Sequence, residues 1–303
     1  MAMEMFFVVE VLLYFLVSAT GLAVNTHLSI NLIAKYQGSS EFSKLCLAKT
    51  IPNVLVCATY LFWCTPLSAF KIPNDELPII LNVFIGQVNI AGTYVLRPGI
   101  QMFLAINIWF SITFPLKKLK FRSSLITLIS IVFVIIPTIA YVVRRMIPLI
   151  CGLSYKPQLL IWTSDSTECA NYYGKLSTNA VMVMCIISSC FTVATFLKLS
   201  CFEKGNGLSS QTMLKRRRRR IRFFIQSVCQ DGLHVLDLIS WRYISVLNPA
   251  PWFQFTTSKL PLLLLHVLDG FVMSYFRPEL YPEFMKRKKS ISIMVTNQSN
   301  SPN

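Results

Sequence analysis

Seven long apolar runs, separated by breaks rich in charge, glycine and proline, constrain this chain more than any other feature. They extend roughly from Phe6 to Ala34, Leu45 to Phe70, Pro78 to Phe110, Ser123 to Val143, Leu176 to Leu199, Phe223 to Leu247 and Phe253 to Tyr275. A helix crossing ~30 Å of hydrocarbon needs about 20 residues, so each run is long enough to span a bilayer. None alternates in the short segments of an outer-membrane barrel strand. Of the 303 residues, 54% are hydrophobic and only 14% charged, too few to cover a soluble domain. The expected fold is therefore all-α: a bundle of seven transmembrane helices over residues 1–276, with a tail over 277–303. No tandem repeat divides it.

The first run could also end in a cleaved leader, because Val17 and Ala19 fit a small-residue cleavage site. Two features favour an uncleaved first span instead: Glu4, with no Lys or Arg ahead of Phe6, and an apolar stretch that continues to Ala34.

The net charge of +16 is distributed between the runs rather than over one face, so it reads as a topology signal and not as a nucleic-acid surface. One set of alternate connections plus the tail carries twenty basic residues, including Lys117, Lys118 and the run Lys215 to Arg220 with Arg222. The other set carries seven. The positive-inside rule then places the C-terminal tail in the cytoplasm and the N-terminus outside. The polyarginine stretch should also attract anionic lipid of the inner leaflet.

Polar residues inside the runs cost free energy unless they find partners. Counting at ~1.5 Å per residue, Asn25, Asn53, Arg97, Asp231 and Asp269 share a depth roughly 12 to 15 Å above the cytoplasmic face. They are expected to form a layer in which Arg97 pairs with Asp231, Asp269 or both. Such a layer can simply glue the helices, or it can act as a bistable element linking outside to inside. Asp231, His234 and Asp237 follow three-residue spacing, as do His266 and Asp269, so each set lines one helix face. These few groups do not lead to an expected metal site.

Cys151 and Cys169 share the long outward connection between the fourth and fifth runs. A disulfide closing that loop is expected there, with two free thiols as the alternative. Aromatic Tyr155, Trp162, Tyr172 and Tyr173 accompany them and could cap a ligand pocket or sit at headgroup level. With three histidines, no Gly-rich phosphate loop and no Cys-x-x-Cys or His-Glu-x-x-His pattern, the sequence supports neither enzyme activity nor a cofactor.

Several of these residues together resemble a known family, the nematode serpentine receptor class X chemoreceptors. The likeness is strongest from Gln226-Ser-Val-Cys-Gln-Asp231 through Leu236-Asp237 to His266-Val-Leu-Asp269-Gly270. Gly21 and Asn25, Asn53, Trp63 and Pro66, Gly86-Gln87, Tyr94, Pro98, Ala105-Ile-Asn107 and Phe114-Pro115 support it, as do Cys151 and Cys169. The resemblance implies a chemosensory G-protein-coupled receptor of sensory neurons, with a small-molecule ligand outside and a heterotrimeric G protein in the cytoplasm. The implied location is the plasma membrane, in sensory cilia.

Candidate ligand contacts are Gln87, Asn89 and Tyr94 in the third span and Trp241 in the sixth. On the G-protein side stand Asn107, Ile108, Arg216, Arg220 and Arg222. Ile108 departs from the family, which commonly has an Arg there. A receptor-like chain that no longer couples to a G protein is therefore one alternative, and a transporter or channel is another.

Overall fold

The computed structural model describes residues 2–34, 41–73, 76–113, 120–147, 149–202 and 211–276. Seven helical rods follow one another along these segments: α1 (Ala2–Ala34), α2 (Glu41–Thr59, continued by Thr65–Ala69), α3 (Ile79–Ile85, continued by Thr93–Thr113), α4 (Lys120–Met146), α5 (Thr167–Phe202), α6 (Gln211–Ile239) and α7 (Pro251–Gln254, continued by Leu260–Tyr275). Among the described residues, α1, α2, α3, α5 and α7 are each long and apolar enough to cross a membrane. With α4 and α6 they make a seven-helix transmembrane bundle. Large apolar side chains such as Ile30, Phe62, Phe133, Ile136 and Ile186 face outward from it, as a lipid-facing surface requires.

Four of the rods contain a wide π-turn: Tyr60–Cys64 in α2, Gly86–Gly92 in α3, Ser240–Ile244 at the end of α6 and Phe255–Lys259 in α7. All four lie toward the end of the bundle that carries a short antiparallel hairpin, β1 (Ser154–Lys156) and β2 (Ile161–Thr163), in register Ser154 with Thr163. The sequence offers no sign of strands in this connection. Cys169 sits in the first turn of α5 rather than in the loop, and its sulfur is bonded to that of Cys151.

α3 runs through the middle, packed against α2, α4, α5 and α6, while α7 fits between α1, α2 and α6. Between lipid-facing helices there is no hydrophobic driving force comparable to that in water, so close packing and polar contacts must hold the bundle. Glycine provides the closeness at two points. A Cβ at Gly270 of α7 would lie 2.6 Å from Asn25 Oδ1 of α1, and one at Gly86 would lie 1.9 Å from the Leu153 carbonyl oxygen ahead of the hairpin.

Two apolar clusters fill the interior. One lies toward the hairpin, around Tyr14, Val56, Tyr60, Cys64, Phe255 and Leu263; the other lies toward the opposite end, around Leu28, Leu45, Leu104, Ile108, Ile112 and Met273. Along α1, α2, α3 and α7 the residues between these clusters are polar, and there the candidate site begins.

Candidate functional site

The centre of the layer is Asp269 on α7, fully buried. Asn53 on α2 donates to its Oδ2 at 2.9 Å and Gln230 on α6 to its Oδ1 at 2.8 Å. Lys49 Nζ stands 2.9 Å from Oδ1, and Arg97 of α3 places a guanidinium nitrogen 3.5 Å from Oδ2. One carboxylate therefore joins four helices, and the ion pairs and hydrogen bonds offset the cost of burying it.

The surrounding groups extend the network. Lys49 also donates to Gln101 Oε1 at 2.6 Å, and Gln101 donates to Ser227 Oγ of α6. Asn53 further donates to Asn25, and Asn25 donates to the backbone carbonyls of Gly21 and His266. Arg97 donates to the Leu265 carbonyl. His266 Nδ1 lies 3.2 Å from the Arg97 guanidinium and 3.0 Å from Asn53 Oδ1. A single ring nitrogen cannot accept from Arg97 and donate to Asn53 at once, so the tautomer of His266 selects one partner.

Of the residues expected in the layer, Asn25, Asn53, Arg97 and Asp269 come together. Asp231 does not join them, which corrects its pairing with Arg97: its carboxylate accepts from Ser188 and Thr192 of α5, at 2.8 and 2.9 Å. Gln230, one residue earlier and about 100° around the helix, faces Asp269 instead. Lys49, a principal partner of Asp269, is not among the residues expected in the layer.

Toward the hairpin the layer is overlain by a chamber about the size of one water molecule, lined by Tyr94, Arg97, His234, Asp237, Leu262 and His266. Arg97 Nε and His234 Nε2 have no partner among the described residues. Beyond it opens a cavity of about 670 Å³, which shares Tyr94, Asp237 and Leu262 with the chamber. Each of the four π-turns lends the cavity at least one wall residue: Tyr60, Ile90 and Ala91, Trp241, and Ser258 with Lys259. π-turns widen a helix locally and recur at functional sites.

The hairpin roofs this cavity with Leu160, Ile161 and Trp162. Its attachment is specific. The Asn82 side chain exchanges two hydrogen bonds with the Tyr155 backbone, Tyr14 donates to the Leu160 carbonyl, and the Tyr155 hydroxyl meets Ser68 at 2.7 Å. Burial raises the Tyr155 phenol well above its ordinary pKa, so it stays neutral in that contact. Arg145 ties α4 to the Cys151 carbonyl and to Ser164, and also donates to the Tyr141 hydroxyl of its own helix.

The expected ligand contacts divide. Tyr94 and Trp241 line the cavity with ring centroids 6.4 Å apart. Gln87 and Asn89 do not reach it: Gln87 is fully buried with its amide unpartnered among the described residues, and Asn89 donates to Thr59 of α2. Both lie inside the Gly86–Gly92 π-turn, from which Ile90 and Ala91 face the cavity instead.

At the opposite end, Ile108 is buried in the apolar cluster with Leu104 and Ile112, while Asn107 and Arg222 are half-buried. Arg216 and Arg220 fall in the helical backbone of α6, but their side chains, like the whole of 277–303, lie outside the described residues.

Comparison with known proteins agrees with this architecture. Serpentine receptor class X 45 of Caenorhabditis elegans is 22% identical over 289 residues, covering 89% of this chain and 79% of that protein. Residues 15–277 match the profile described as serpentine type 7TM GPCR chemoreceptor Srx, and the chain belongs to that family of multi-pass membrane receptors.

Proposed function

We propose that the protein is a chemosensory receptor that takes a small molecule into the hairpin-end cavity and signals to a heterotrimeric G protein at the opposite, cytoplasmic end. The observation that carries this reading is the stacking of the π-turn-lined cavity directly over the Asp269 layer, with Tyr94 and Asp237 common to cavity and intervening chamber. A volume of about 670 Å³ suits a small ligand. His266 supplies a discrete choice between two partners, the kind of alternative a ligand can bias by preferring one packing.

In this reading the tail and the polyarginine segment face the cytoplasm, where the basic stretch meets anionic lipid or the G protein, and the receptor works in the plasma membrane of sensory cilia. The disulfide and hairpin then lie in the oxidising exterior, as a structural disulfide requires. Ile108, buried in apolar surroundings, leaves Asn107 and the basic start of α6 as the side chains for partner contact.

The test is ligand-evoked dissociation of a G protein in cells expressing the receptor, set beside ionic current and solute uptake. G-protein dissociation that is lost in Tyr94→Ala or Trp241→Ala supports the reading. Uptake or current without any G-protein response would defeat it in favour of a transporter or channel.

A further inference from the structure

We infer that the cavity is built for a small organic cation, a protonated amine on an aromatic or alicyclic body, with Asp237 as its counter-ion. The inference rests on the ligand-binding reading above and adds the ligand's charge to it.

Asp237 is half-buried on α6, in a span where a carboxylate is costly without a partner. Among the described residues it makes no hydrogen bond and no ion pair, yet it lines both the cavity and the chamber beneath it. The cations nearby are held by other groups and form no ion pair with Asp237. Arg97 is held by Asp269, His266 and the Leu265 carbonyl. Arg145 is spent on the Cys151 carbonyl, Tyr141 and Ser164, with Tyr173 against its guanidinium, and Lys259 donates to the Leu159 carbonyl at 2.7 Å. Lys49 and Arg97 lie below Asp237 and are shared with Asp269, while Arg145 and Lys259 stand on the hairpin side of the cavity, so the floor around Asp237 is its negative end and the place for a ligand's ammonium group.

The walls fit the same class. Tyr94 and Trp241 meet edge to face one helical turn from Asp237, and Tyr60 and Tyr141 complete an aromatic surround. Rings of this kind attract a desolvated cation through their faces while a carboxylate fixes its position. An anionic ligand would instead be repelled by Asp237 wherever it reached the Tyr94 and Trp241 rings.

The full-length receptor, purified in detergent, is titrated calorimetrically with three probes of one skeleton: phenethylammonium, phenethyl alcohol and hydrocinnamate. The ammonium is expected to bind at least about tenfold tighter than the alcohol, the gain of one hydrogen bond to a charged group, and the carboxylate weakest. Asp237→Asn should bring ammonium and alcohol to equal affinity, whereas Asp237→Glu and Asp231→Asn should keep the preference. An ammonium preference that survives Asp237→Asn overturns the assignment. So does alcohol or carboxylate binding as tightly as ammonium; if that binding is still lost in Trp241→Ala, the cavity remains the ligand site and only the charge assignment fails. Binding by none of the three counts against both.

Discussion

Asp269 and Asp237 are the same residue type on neighbouring helices, and the regions around them follow opposite rules. Around Asp269 both carboxylate oxygens are answered: two cations, an asparagine and a glutamine converge on one carboxylate with no exposed surface. Around Asp237 the helices widen, the carboxylate has no protein partner among the described residues, and aromatic walls enclose open volume. The first region fastens α2, α3, α6 and α7 together, and the second has left part of its interaction capacity for something else. A receptor needs both, because a ligand can shift an equilibrium only where it gains contacts in one state over the other.

The largest effect should come from removing the hub. Asp269→Asn leaves Lys49 and Arg97 buried without a counter-charge and is expected to cost about 3 to 5 kcal/mol, read as lost surface expression and a lower unfolding midpoint in detergent. Adding Lys49→Met should recover part of that loss; strictly additive losses would mean that the two are not coupled. Combining Arg97→Gln with Asp231→Asn, by contrast, should be additive, because Asp231 bonds to α5 and not to Arg97.

On the cavity side, Cys151→Ser should lower stability by ~3 kcal/mol in the chain-entropy picture, with Cys169→Ser and the double variant matching it. Limited proteolysis should locate the loosening at the hairpin and leave α1, α2 and α7 protected; cleavage spreading through those helices would show that roof and layer are one unit. Gly270→Ala forces a methyl into Asn25 and should cost about 1 to 3 kcal/mol, felt in the layer alone. Smallest of all, Asp231→Asn should change stability by about 1 kcal/mol or less, since its hydroxyl partners can still bond an amide.

Much of the layer was legible because a polar residue in a membrane span must find a partner, and Asn25, Asn53, Arg97 and Asp269 do so together. Lys49 was legible in principle: with twenty basic residues on one side and seven on the other, only Arg97 and Lys49 of the 29 fall to neither. Depth could be counted from sequence, but facing could not, and one residue of rotation separates Gln230, which reaches Asp269, from Asp231, which does not. The same limit misplaced Gln87 and Asn89. They lie in a π-turn, where the wider winding makes facing harder still to read from residue spacing, and Ile90 and Ala91 reach the cavity in their place. The hairpin was equally hidden, because three-residue strands held by Asn82 and Tyr14 have no periodic signal of their own.

The four wide turns give this architecture a tolerance that regular helices lack. A codon gained or lost within one of them can be absorbed by trading a wide turn for a tight one, so the wall of the cavity changes while the registration of Asn25, Asn53, Arg97 and Asp269 below is kept. The upper wall can thereby vary in length as well as in composition without rebuilding the part that holds the helices together.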